Sequence, residues 1–191
     1  MKEISQNDYN NFNIALKEPK YILNDHNYGV SCATVLNDGR LSTGSSDNSI
    51  IIFNKKTFKP DLKIREHMDD VVSLIQLSSG ILCSASNDKT IKLYNINGNT
   101  YNVLQTLKYH TSKVGKIIEL SNHKLVSSSQ DGSIIFYCKD NNSLYKKDFS
   151  IKVSPYNGPL MQIKNNEICY YEVPGGVLYF FDFQKKKILL K

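Results

Sequence analysis

Three histidines, His26, His67 and His110, stand 41 and then 43 residues apart, and the segment that follows each aligns with the other two without a gap. The segments read HNYGVSCATVLNDGRLSTGSSDNSIIIFN, HMDDVVSLIQLSSGILCSASNDKTIKLYN and HTSKVGKIIELSNHKLVSSSQDGSIIFYC. In each, Val follows His by four positions (Val30, Val71, Val114), Asp follows by 21 (Asp47, Asp88, Asp131) and an aromatic by 27 (Phe53, Tyr94, Tyr137). Such a repeat constrains the fold more than any single residue can. Each unit is one supersecondary element that cannot bury its apolar surface alone, so units must stack on one another.

A degraded fourth copy follows. Aligning Gly175-Gly176 with Asp131-Gly132 lays Val177 to Phe181 over the run that ends at Tyr137, and Ser154 falls where a His would stand. Upstream, Lys20-Tyr21-Ile22-Leu23 occupies the place that Leu62-Lys63-Ile64 holds before His67, so the spacing predicts the last strand of an earlier unit there. Within a unit, short runs of Val, Ile, Leu, Tyr and Phe alternate with turn signals such as Asn37-Asp38-Gly39 and Ser78-Ser79-Gly80. Four strands per unit result, near 71–77, 81–86, 91–94 and 104–108 in the second. No segment sustains a 3.6-residue period, so helix is scarce. The pattern is all-β, and four antiparallel strands per 40 to 45 residues match a β-propeller blade.

The units resemble the WD-repeat propeller, whose blades carry a His, an apolar strand, a small Ser-Gly-Ser-like stretch, an Asp turn and a closing Trp-Asp. The matching residues in the second unit are His67, Ser84-Ala85-Ser86, Asp88 and Tyr94-Asn95. The sequence has no Trp, and the closing pairs are Phe53-Asn54, Tyr94-Asn95, Tyr137-Cys138 and Phe181-Asp182. The resemblance implies about four four-stranded blades in an incomplete or open ring, over 20–191, with units near 26–66, 67–109, 110–153 and 154–191. Residues 1–19 are a polar segment, read as the remnant of a preceding blade.

A His and an Asp recurring inside an apolar blade need partners, or they cost stability. In the family the Asp bonds the imidazole, which bonds a hydroxyl on the second strand. The residues for this occur three times: His26 with Asp47 and Ser45 or Thr43, His67 with Asp88 and Ser86 or Ser84, His110 with Asp131 and Ser129 or Ser127. Tyr94 and Tyr137 can add a hydroxyl, whereas Phe53 and Phe181 cannot, so that link is absent from the first and fourth blades. A net hydrogen bond contributes about 1 kcal/mol and an orphaned buried partner costs about 1–3 kcal/mol. The network therefore sets turn geometry more than total stability.

A catalytic triad is assembled once, in a cleft, whereas this constellation recurs in three units and reads as architecture. A metal site from the three histidines is excluded because successive blades hold them apart. His123 is read as a solvated turn residue, Gly175-Gly176 as a turn, and Lys185 to Lys187 as a solvated terminal strand. There is no GxxxxGK[ST], HExxH, GxSxG or GxGxxG. No enzyme activity, cofactor or metal is expected. Cys32, Cys83, Cys138 and Cys169 form no CxxC pair, the opening is polar, and the longest apolar runs are strand length. Small buried thiols in a reducing compartment, cytoplasmic or nuclear, follow, without secretion or a membrane span.

Net charge is +6, but 22 of the 24 cations are Lys. Arg is the better reader of phosphate and guanine, so the balance is weak support for a nucleic-acid partner, kept as the alternative along with a non-catalytic part of a larger enzyme complex. The resemblance implies instead a platform for protein or peptide partners. Its presenting loops would carry Tyr28, Ser46, Met68, Asp69, Asp70, Asn87, Lys113 and Gln130. A ring of this type usually has about seven blades, and an unclosed stack leaves two blade faces bare. Completion by further sequence or a second chain is expected over self-closure. Size-exclusion and thermal melting test this: a monodisperse, cooperatively melting monomer of the isolated chain would refute an incomplete ring.

Overall fold

The computed structural model describes residues 21–155, 159–172 and 177–189, in which all regular structure is β and no helix occurs. Sixteen strands form four antiparallel sheets, each joined in simple chain order. Blade 1 holds β1 (Val30–Val35), β2 (Leu41–Ser45), β3 (Ile50–Phe53) and β4 (Pro60–Ile64). Blade 2 holds β5 (Val71–Gln76), β6 (Leu82–Ser86), β7 (Ile91–Asn97) and β8 (Thr100–Leu107). Blade 3 holds β9 (Val114–Glu119), β10 (Leu125–Ser129), β11 (Ser133–Lys139) and β12 (Tyr145–Lys152). Blade 4 holds β13 (Leu160–Lys164), β14 (Glu167–Glu172), β15 (Val177–Asp182) and β16 (Lys187–Leu189).

The strand sequences explain these places. The middle strands β2, β3, β6 and β10 are buried almost throughout, because a blade packs on both faces, and they read as unbroken small or apolar runs such as IIIF and LCSAS. The outer strands β8 and β12 are half solvated and carry interspersed polar residues. Register is the same in every blade: Leu41 faces Phe53, Leu82 faces Tyr94, Leu125 faces Tyr137 and Ile168 faces Phe181. The fourth copy thus keeps the pairing after losing its His.

Side-chain alternation gives each blade two apolar faces. Ile50, Ile52 and Ile64 of blade 1 meet Val71, Leu74 and Tyr94 of blade 2. Cys83, Ile91 and Leu93 on the other face of blade 2 meet Val114, Ile117 and Tyr137 of blade 3. Val126, Ile134 and Phe136 of blade 3 then meet Leu160, Ile168 and Phe181 of blade 4. Inner strands β1, β5, β9 and β13 follow one another in contact. Among the described residues no core joins blade 4 back to blade 1, so the stack is an open arc. On the free face of blade 4, exposed Met161 and Leu178 hold the registers that Ile118 and Ile134 hold in blade 3.

One position governs how closely blades approach. Gly44, Ala85 and Ser128 occupy it in turn, and Tyr171 occupies it in blade 4. A Cβ on Gly44 would lie 2.7 Å from both Cys32 Sγ and Val71 Cγ1, so only glycine fits that joint.

Two sequence expectations need correction. Strand β8 begins at Thr100 rather than near 104, because β7 runs on to Asn97 and turns back through Gly98 at φ 58°. Outer strands bury little, so their apolar pattern marks the ends poorly. Tyr21 to Leu23 forms no strand, since no described strand lies beside it to complete a ladder; the Tyr21 ring instead lies 4.4 Å from that of Phe58. Lys20, residues 1–19 and Gly175-Gly176 lie outside the described residues.

The Ser128 hydroxyl is buried without a hydrogen-bond partner among the described residues. Ser128→Ala is expected to raise stability in urea unfolding by about 1 kcal/mol, as an unmet hydroxyl is removed. Gly44→Ala, which overpacks the joint, is expected to lower it by about 1–3 kcal/mol.

Candidate functional site

Each of the first three blades closes its β-hairpin around an aspartate. Asp47, Asp88 and Asp131 sit in the turns between β2 and β3, β6 and β7, and β10 and β11. The next residue takes a left-handed backbone, Asn48 at φ 65°, Lys89 at 73° and Gly132 at 76°. Oδ1 of each aspartate accepts twice from the residue two places on. In blade 2 these bonds come from Thr90 N at 2.9 Å and Thr90 Oγ1 at 2.6 Å; Ser49 and Ser133 repeat them. The other oxygen accepts from the backbone beside the histidine, at Asn27, Met68 and Thr111. It also faces imidazole Nδ1, at 3.1 Å in His26, 2.7 Å in His67 and 2.8 Å in His110.

On the far side of the ring, Nε2 meets Thr43 at 2.7 Å, Ser84 at 2.6 Å and Ser127 at 2.7 Å. The hydroxyl against the imidazole is therefore this one, and not Ser45, Ser86 or Ser129. Those three lie at the strand ends, where the turn claims them. They donate to the carbonyls of Tyr28, Asp69 and Ser112, and accept from the aspartate N–H two residues on. Tyr94 and Tyr137 extend the row, their hydroxyls 3.3 and 3.0 Å from Ser84 and Ser127. In blade 3 every group is satisfied when Nδ1–H donates to the carboxylate and Nε2 accepts from Ser127, which accepts in turn from Tyr137; in blade 2 the Ser84 hydroxyl donates to Tyr94. In blade 1, where Phe53 replaces tyrosine, Thr43 meets the Ile51 carbonyl at 3.5 Å in addition to His26. In blade 4, Asp182 stands at the position of Asn54 and accepts from the Gln184 and Lys185 N–H groups, as Asn54 does from Lys56 and Thr57.

Burial alone would raise these carboxyls. Hydrogen bonds from Ser49, Asn27 and His26 overcome that at Asp47, as do those from His67 and Thr90 at Asp88 and from Ser133 and Thr111 at Asp131; all three lie below the ordinary carboxylate range. Burial lowers His110, against the opposing pull of Asp131. Both histidine nitrogens are committed within the blade, which leaves no free base. Among the described residues no cluster of His, Cys, Asp or Glu could hold a metal ion.

The expected presenting loops share one end of the blades. Ser46 N donates to Gly29 O, Asn87 N to Asp70 O and Gln130 N to Lys113 O, so these backbones run side by side. Tyr28 is 71% exposed and Met68 86%. Asn87 also donates to the Asp70 carboxylate at 3.3 Å, and Asp69 caps the Asp70 N–H at 2.8 Å.

At the opposite end is a set of residues that sequence reading missed. Gln76 and Glu119 end inner strands β5 and β9, and Gln162 stands 43 residues further on, within β13. Each accepts the N–H of a turn in the preceding blade: Asn37 at 2.5 Å, Ser78 at 2.6 Å and Ser121 at 2.8 Å. The first two stand nine places after a His, and that fixed offset was the available signal; at nine after His26 stands Val35, which cannot accept. His123 is the expected solvated turn residue, its side chain 71% exposed, and its Nδ1 lies 2.9 Å from Ser78 Oγ. This is no triad. Ser78 donates to Glu119 at 2.8 Å, and Glu119 and Ser78 approach the same ring nitrogen. Lys185 to Lys187 are exposed as expected, but Lys185 and Lys186 lie in the turn before β16 rather than in a strand; Lys185 pairs with Asp182 at 3.6 Å and Lys186 Nζ stands 4.6 Å from the centre of the Phe149 ring.

Residues 17–54 and 58–95 match the family model "WD domain, G-beta repeat". Two stretches of the chain are thus similar to WD repeats. An uncharacterized WD repeat-containing protein of Schizosaccharomyces pombe is 32% identical over 89 residues, which is 46% of this chain and 17% of that protein. A bromodomain and WD repeat-containing protein of Dictyostelium discoideum is 28% identical over 104 residues, 53% of this chain and 4% of that one. The chain thus matches only a small part of either relative. The solved structure of U3-55K superposes with a TM-score of 0.76 at 18% identity, covering 88% of this chain and 53% of that one, which shows the fold. The described residues form an all-β arc with the fold of a WD propeller, and WD-repeat proteins generally serve as interaction scaffolds.

The lowered carboxyls and His110 set the sign of the acid response. Stability is expected to fall as pH drops below about 6.5, because unfolded histidine takes up a proton more readily than folded His110, and again below about 4, where unfolded aspartate does. Thermal melts from pH 8 to 3 check this, and an unchanged melting temperature between pH 8 and 5 would contradict the His110 contribution.

Proposed function

We propose that the chain is a non-catalytic platform that binds a protein or peptide segment on the loop end bearing Tyr28, Ser46, Met68, Asp69, Asp70, Asn87, Lys113 and Gln130. The observation that supports this most is that Tyr28 and Met68 stand out from loops whose backbones are tied to the hairpin turn of their own blade. Holding these side chains in water wastes apolar surface unless a partner covers them, and large anchors ringed by polar groups carry most interface energy. The aspartate brackets just beneath fix the loops, so little ordering cost remains to oppose binding.

Asp69 and Asp70 beside Met68 weigh against a nucleic-acid partner on this end, despite the basic balance of the whole chain. The bare face of blade 4 fits a ring completed by further sequence or a second chain. Four cysteines without a disulfide fit a reducing intracellular compartment. No described helix is long and apolar enough to cross a membrane.

The Tyr28→Ala/Met68→Ala double variant is expected to lose partner capture while keeping its melting temperature, read by pull-down of a partner identified with the unaltered chain. Undiminished capture would rule this end out.

A further inference from the structure

We infer that the rim cleft between blades 2 and 3 is a second, separate peptide site, for short segments that place a bulky aliphatic or aromatic side chain next to carboxylates. The cleft has a volume of about 230 Å³. Ile81, Leu93, Leu104 and Gln105 of blade 2 line one wall, and Leu144 and Tyr145 of blade 3 the other. It lies away from the Tyr28 and Met68 loops and shares no residue with them.

Three features make it more than a seam. The first is that its mouth is apolar and open, with Leu104 42% and Leu144 43% exposed. The second is that it is built. A bulge between β7 and β8 pairs Leu93 with Gln105 and Tyr94 with Val103, leaving Leu104 as the extra residue. Bulges re-aim side chains, and this one brings Leu104 to the cleft. Gln105 bolts the walls together, donating to the Tyr145 carbonyl at 2.7 Å and accepting from the Tyr145 N–H at 2.9 Å.

The third feature is charge. No carboxylate lines the cleft, and Asn142 and Ser143 provide a neutral polar lip. Lys139 pairs with Tyr145 across β11 and β12, its Nζ 5.2 Å from the Tyr145 ring centre, and Lys147 lies two residues beyond Tyr145 on the same face. Neither lysine has an ion-pair partner among the described residues, whereas Lys146, on the opposite face, is held by Asp140 at 3.0 Å. Two free cations beside an apolar slot match a ligand with an apolar anchor and adjacent acid. Arg or Lys in a ligand would be repelled.

The test is selection of a phage-displayed random decapeptide library on the full chain. Enriched peptides are expected to combine Leu, Ile, Met or Phe with neighbouring Asp or Glu. Their synthetic forms should bind Leu144→Glu, and Lys139→Glu/Lys147→Glu, at least tenfold more weakly by fluorescence anisotropy, about 1.4 kcal/mol. Melting temperatures report folding, and Leu104→Ser replaces Leu144→Glu if the latter fails to fold. Tyr28→Ala/Met68→Ala should leave this binding intact, so failure here and failure of the loop-end reading are distinguishable. The inference is overturned if nothing is enriched, if the enriched peptides are basic, or if they bind the cleft variants as tightly as the unaltered chain. Loss confined to the Tyr28/Met68 variant would likewise overturn it.

Discussion

A carboxylate in a turn, accepting from four donors, is the constraint on which this architecture rests. Asp88 takes the backbone and hydroxyl of Thr90, the backbone of Met68 and the ring of His67, and its own N–H is held by Ser86. That one group ties the β6–β7 turn to the loop that enters the blade from its outer strand. Orphaning its buried partners costs about 1–3 kcal/mol each, so the turn cannot relax without breaking several contacts together. The imidazole passes the same restraint into the sheet through Ser84. Loops that present side chains to a partner thus stand on a base fixed by charge-assisted bonds.

Between blades the forces differ. Apolar faces supply most of the attraction, and at the other end a Gln or Glu accepts from the preceding blade's turn. Coupling passes through nearest neighbours only, from blade 1 to 2, 2 to 3 and 3 to 4, as in other stacked-repeat proteins. Glu119 shows the two systems meeting: its carboxylate takes Ser78 N–H and O–H from blade 2 while standing 3.6 Å from His123 of its own blade.

Much of this was legible in the residues. The His, Val, Asp and aromatic offsets fixed blade number, strand order and the fourth, weakened copy, since a repeated long-range pair has one simple structural cause. Choosing Ser84 over Ser86 was beyond such reasoning. Both lie on one face of the same strand, and the choice depends on the turn capturing the nearer hydroxyl. Gln76, Glu119 and Gln162 were hidden because they serve neighbours in space about 40 residues away. The start of β8 was hidden because an outer strand needs little apolar pattern. Thr90 and its equivalents, two places after each Asp, were visible as Asp-x-Ser/Thr but carry meaning only once the turn is known.

The joint at Gly44 also limits how the modules could be rearranged. Ala85, Ser128 and Tyr171 fill the same seat with steadily larger groups, whereas an added Cβ at Gly44 would lie 2.7 Å from Val71 of the next blade. Modules alike in outline are therefore not interchangeable parts: exchanging two of them would set an oversized seat against a neighbour shaped for a glycine. Sequence order is enforced by steric fit as well as by the covalent chain.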